Sequence, residues 1–192
     1  MLKKIGHYLM VILVVVLFHA GAAMGEKSIT KTGDQAWDTL SQVKKDWMLN
    51  LYDIVVEDRP ELKSVADDSL EWHLKEMEYD TKKFQHMSNK HPDMIVRDKG
   101  LHAFASLDWF PEFSQELASK DPAFGELEKK VLNLKQELSK SKDLKDLEKF
   151  ISDLSKNEKH KDKFKKFTTD LAKVQKILAR KAREIAQNSP PN

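Results

Sequence analysis

The sequence predicts an all-α protein: an antiparallel helical hairpin or bundle with heptad-patterned C-terminal helices. Three observations carry this. Charged residues make up 33 % of the 192-residue chain, while Gly and Pro number six each, a helix-former's composition. Apolar residues recur at three- and four-residue steps over most of the chain, the period of a helix face and not the alternation of a strand. Pro, Gly, Asp and Asn cluster where those runs break, as helix punctuation does.

Residues 1–25 read as a secretory signal peptide. Lys3 and Lys4 make a positive n-region, "YLMVILVVVLF" from Tyr8 to Phe18 is an unbroken apolar run, and "HAGAAMG" supplies small residues for cleavage. Ala20 and Ala22, or Ala23 and Gly25, fit the −3 and −1 positions, which puts the cleavage between Ala22 and Glu26 and the mature N-terminus between Ala23 and Glu26. The apolar run is shorter than the roughly 18 residues a membrane span requires, and His19 interrupts any extension. Cysteine is absent, which rules out disulfides, cysteine metal sites and a cysteine-linked lipid anchor. An exported chain of this size without disulfides suits a bacterial periplasm, and the expected location is periplasmic or secreted.

Residues 26–33 are expected to be a disordered leader. The first helix follows, capped by Thr32 or Asp34, with Thr32 and Gln35 fitting a capping box. Trp37, Leu40, Val43, Trp47, Leu51 and Ile54 form its apolar stripe. Asp58 as N-cap, Glu61 as its reciprocal and Pro60 in the first turn open a second helix, expected over 60–86, with Leu62, Val65, Leu70, His73, Met77, Phe84 and Met87 along one side. Pro92 pushes His91 out of helix, and "PDMIVRDKG" reads as one brief helix ended by Gly100. "DWFPEFSQELASK" reads as a short helix capped by Asp108, and Asp121-Pro122 opens another.

From there the apolar positions step as heptads: Phe124, Leu127, Val131, Leu134 and Leu138; Leu144, Leu147, Ile151 and Leu154; Phe164, Phe167, Leu171, Val174 and Leu178. Such stripes are narrow, so each helix should pair with only one or two others. Ser141 and Asn157 are the expected caps between them. The organisation is then a helical domain with an aromatic corner over 34–120, a Lys-rich helical section over 121–188, and a disordered tail at 189–192.

Charge is divided between the halves. Residues 26–119 hold 12 Lys/Arg against 19 Asp/Glu, and residues 120–192 hold 19 against 12. The formal −7 and +7 suit two halves that fold against each other, although such asymmetry also serves a partner of opposite charge.

No Gly-rich phosphate loop, nucleophile elbow, HExxH motif or calcium loop occurs, and no Ser, His and acid grouping can be placed together. Three features remain. His73 and Met77 share a helix face, and His86 with Met87 precedes His91. In a periplasm such a His/Met set is suited to copper or to a b-type haem in a bundle. "KNEKHKDKFKKF", from Lys156, carries six Lys and His160 over three turns and suits an anionic envelope surface or an acidic partner. "VRDKGLHAFASLDWFPEF", residues 96–113, sets Phe104, Leu107, Trp109, Phe110 and Phe113 at spacings that one short helix face cannot hold. These must point into different neighbours, as at a corner where helices change direction, or line a groove for a partner.

The expectation is an exported, non-enzymatic helical interaction protein: a periplasmic scaffold, adaptor or chaperone-like binder. The alternative is a His/Met metal- or haem-binding periplasmic bundle. No catalytic, cofactor-binding or metal residue is assigned. The expected partner surface is Trp109, Phe110 and Phe113 with Lys159, His160 and Lys163. The expected partners are another protein or a second copy, or an anionic envelope surface, and not nucleic acid.

Overall fold

The computed structural model describes residues 30–188, so the expected signal peptide and tail lie outside the described residues. The described residues form seven α-helices and no strand: α1 Gln35–Asp58, α2 Lys63–Lys90, α3 Leu101–Ala105, α4 Pro111–Lys120, α5 Pro122–Ser139, α6 Leu144–Leu154 and α7 Lys161–Asn188. Short 3-10 turns at Pro60–Leu62, Pro92–Met94 and Glu158–His160 join them. Among the described residues, no helix is long and apolar enough to cross a membrane.

Two antiparallel helices set the frame. Trp37 at the start of α1 stacks on Phe84 near the end of α2, with centroids 4.2 Å apart. At the opposite end the Tyr52 hydroxyl donates to Asp67 at 2.7 Å. Helix α7 runs antiparallel along the other side of α1: Trp47 stacks on Phe167 at 4.6 Å, and Lys181 reaches Asp34 at 2.9 Å. Helix α5 runs antiparallel along α2, with Tyr79 stacked on Phe124 at 5.1 Å and Lys130 paired with Glu71 at 2.6 Å. The long helices therefore lie in the order α7, α1, α2, α5. Helix α6 closes the end where α1 turns into α2, and α3 and α4 form the corner at the other end.

The core has two centres. One gathers Trp37, Trp47, Phe84, Phe104, Phe167 and Val174 between α1, the end of α2, the corner and α7. The other gathers Val55, Val65, Trp72, Val131 and Leu147 between α1, the start of α2, α5 and α6. Every apolar position in the three C-terminal heptad runs is buried or half-buried. Narrow stripes of this kind leave their helices marginal alone, and here they dock on the N-terminal half. The acidic and basic halves meet through Glu71–Lys130, Asp34–Lys181 and Glu57/Asp58–Lys159.

Several local expectations are corrected. Thr32 does not form a capping box with Gln35. Asp34 is the cap, its carboxylate accepting from Ala36 N and Trp37 N at 2.9 and 3.0 Å, while Asp38 reaches back to Thr32 N and Gly33 N. These bonds also tie down the end of the expected loose leader. Asp58 is the last residue of α1 and caps nothing; α2 begins after the Pro60–Leu62 turn and runs on to Lys90. Gly100 does not end a helix but precedes α3 with φ +88°, a conformation open to glycine and strained for other residues. Asp108 is exposed, and Phe110 holds the cap position of α4 because Pro111 needs no N–H partner in the first turn. Ser141 makes no side-chain cap, whereas the Asn157 side chain accepts from Lys159 N at 2.9 Å, as expected. Trp72, outside the expected α2 stripe, is fully buried, because α2 has neighbours on two sides.

Candidate functional site

The corner is built by breaking α2. His91 precedes Pro92, cannot continue the helix, and takes φ −137° and ψ 52°. The chain then doubles back through buried Ile95 to Gly100 and α3, where Phe104 packs edge-on against Trp37 and Phe84 at 5.8 and 5.9 Å. Phe110 is extended, and Pro111 starts α4 immediately after it. None of the ten residues of α4 is fully buried, so this helix depends on edge contacts and polar ties.

Those ties are specific. The Trp109 indole N–H donates to Ser114 Oγ at 2.9 Å, and Ser114 donates to Glu128 Oε1 at 2.7 Å. The Tyr79 hydroxyl donates to the same oxygen at 2.6 Å. Burial and that bond to Glu128 raise the Tyr79 phenol, so it remains a donor. Lys82 pairs with Asp121 at the junction of α4 and α5.

Beside them His86, His91 and Glu116 converge from α2, its broken end and α4. One ligating atom of each lies within 4.8 Å of the others, and His86 Nε2 is 3.5 Å from Glu116 Oε2. Phe113 stacks on His91 with centroids 4.5 Å apart and planes 24° apart, and Trp109 meets His86 edge-on at 5.7 Å. Burial lowers the His86 imidazole below its ordinary value, against the opposing pull of Glu116. Glu116 Oε1 is held by Lys120 at 2.6 Å, chiefly for which its carboxyl lies below its usual range.

The structure divides the residues expected to form one partner surface. Trp109 and Phe113 are half-buried in the corner, and Phe110 is 48 % exposed with its ring edge-on to Phe113 at 5.6 Å. Lys159, His160 and Lys163 lie at the far end of α1, a 24-residue helix about 36 Å long. His160 is 2 % exposed, so it is not part of an outer surface; its Nε2 is 2.7 Å from Asp58 Oδ2. Lys159 pairs with Glu57 and Asp58 at 2.8 and 2.7 Å, and it, followed by His160, lowers Asp58. Within the same run Lys156, Lys161 and Lys166 pair with Asp153, Glu158 and Asp170. Much of the basic stretch is thus neutralised within the chain.

The His/Met set is spread along α2, with His73 and His86 thirteen residues apart. Met87 is fully buried in the core. His73 is buried beside the other core centre, its Nδ1 3.3 Å from Glu76 Oε2. Burial holds His73 well below its ordinary value, and burial with Asp80 pushes Glu76 up to about 7. The imidazoles that do converge, His86 and His91, are joined by a carboxylate and not by a thioether. Compared with protein families, with curated proteins and with solved structures, the chain matches none of them.

Proposed function

We propose that the chain is an exported, non-enzymatic interaction protein that holds a partner protein at its aromatic corner. The observation that supports this reading is Phe110, 48 % exposed at a point where its backbone is fixed. Pro111 follows it, Phe113 meets its ring edge-on, and Phe113 itself stacks on His91. An aromatic ring ordered before binding loses little conformational freedom on contact, and aromatic anchors of this kind carry much of the energy of protein interfaces. Exposed Asp108 and Glu112 flank it, which suits an apolar partner site bordered by Lys or Arg. The corner is preferred over the lysine run because so many of that run's charges have partners within the chain.

The test is site-directed photo-cross-linking in the envelope of the native host. A benzoylphenylalanine at position 110 is expected to give a discrete adduct, and the same probe at exposed Lys176 to give none. Adducts at position 176 with none at position 110 would move the interface to the basic face and refute this assignment.

A further inference from the structure

We propose that His86, His91 and Glu116 form a binding site for one divalent transition-metal ion of the zinc or copper(II) class. The site goes beyond the partner surface argued above and stands without it. The first support is convergence. Residues from the end of α2, from the chain just past it and from α4 bring three ligating atoms within 4.8 Å of one another. In a tetrahedral zinc site, with bonds of roughly 2.0–2.2 Å, neighbouring donor atoms stand about 3.3 Å apart. The His86–Glu116 pair, at 3.5 Å, is already at that spacing, and closing the rest takes a small shift of His91 and Glu116, both half-buried and not locked in the core.

The second support is independent of the first. His86 Nε2 and His91 Nε2 are both buried, and neither has a hydrogen-bond partner among the described residues; Glu116 Oε2, 3.5 Å from His86 Nε2, stands in ion-pair range without a hydrogen bond to it. Buried polar atoms are normally satisfied in a folded interior, and these two imidazoles stand with ring centroids 5.9 Å apart. A metal ion would satisfy both at once.

The surroundings suit a cation held by imidazole. Phe113 stacked on His91 and Trp109 edge-on to His86 set the ring planes. Lys120 holds Glu116 Oε1 and leaves Oε2 facing His86, the outer-shell orientation that metal ligands usually have. Two imidazoles and one carboxylate select zinc or copper(II) over magnesium or calcium, which favour all-oxygen sets. Three protein ligands leave a fourth position for water or for a donor from another molecule. An ion here would also pin α4, which buries no side chain fully, onto the end of α2.

Isothermal titration of zinc chloride into the purified, chelator-treated full chain tests the proposal. The expected result is saturable binding of one ion per chain, undisturbed by excess magnesium. His91→Gln and Glu116→Gln alter half-buried side chains and should leave the helical circular dichroism unchanged. Each should weaken zinc by roughly tenfold or more, since even outer-shell changes cost 10–100-fold. Exposed His102→Gln should leave affinity unchanged. Cobalt(II) gives a second readout: the wild type should show strong visible ligand-field bands, lost in His91→Gln. Absence of saturable one-to-one binding would overturn the proposal, as would wild-type affinity in folded His91→Gln and Glu116→Gln.

Discussion

Replacing Asp34 by Asn removes the charge at a node that joins three parts of the chain. Asp34 caps α1 through Ala36 N and Trp37 N, and its Oδ2 takes hydrogen bonds from Arg97 in the corner and Lys181 in α7 at 2.8 and 2.9 Å. Its side chain is only 12 % exposed, so solvent screens these contacts weakly. Burial alone would raise the carboxyl. The bonds from Arg97 and Lys181, with the Trp37 N–H, outweigh burial and hold it at about 2, below the ordinary 3.8. At 1.36 kcal/mol per pKa unit, that difference corresponds to about 2 kcal/mol of stability supplied by the charged form. Because the folded value is depressed, this contribution is complete above about pH 5. It fades as pH falls through 3.8 towards 2. Asn is itself a good cap, so Asp34→Asn isolates the ionic part. Asp34→Ala should cost roughly 1 kcal/mol more.

Urea denaturation of wild type and Asp34→Asn at pH 7, 5 and 3 measures this directly. At pH 7 the variant should be less stable by about 2 kcal/mol, a melting shift of roughly 4–8 °C for a chain of this size. At pH 3 the gap should narrow, because the unfolded wild-type carboxyl, near 3.8, takes up a proton there while the folded one, held at about 2, stays largely charged. A gap that stays constant from pH 7 to pH 3, or one below about 0.5 kcal/mol at pH 7, the scale of ordinary surface changes, would refute the node's role.

Two further predictions test how the chain is joined. Leu171, 9 % exposed in the core centre around Trp47, should not tolerate a carboxylate: Leu171→Asp is expected to lower stability of the whole domain by at least about 3 kcal/mol. Melting followed by circular dichroism and by tryptophan fluorescence should shift together; an N-terminal half that melts at the wild-type temperature would show that α7 docks elsewhere. Gly100→Ala meets no atom within 4 Å of the new Cβ, so its cost is backbone strain at φ +88° and ψ −178°, about 1–3 kcal/mol less the small gain from a stiffer unfolded chain. Differential scanning calorimetry that finds no loss would show that the corner relaxes.

What the sequence made legible was what repeats locally. The stripe from Trp37 to Ile54 and the run from Phe164 to Leu178 each needed one helix period to be recognised, and their residues are buried or half-buried. Trp72 was missed because a single stripe assumes a single neighbour. Helix α2 has two, and the second, α5, arrives some 50 residues later in the chain. Lys159 and His160 read as surface charge because their acids, Glu57 and Asp58, lie about 100 positions earlier; the opposed charges of the two halves were the sequence's sole sign of that closure. The same reason hid the corner cluster. On a continuing helix, His86 and His91, five residues apart, would diverge by well over a quarter-turn. It is Pro92, by stopping α2 at Lys90, that turns His91 back against His86 and Phe113, and Pro111 that sets α4 so that Glu116 meets them. The two prolines were legible as helix punctuation. Their consequence, three ligand-type side chains brought together from three segments, appears only once the breaks are folded.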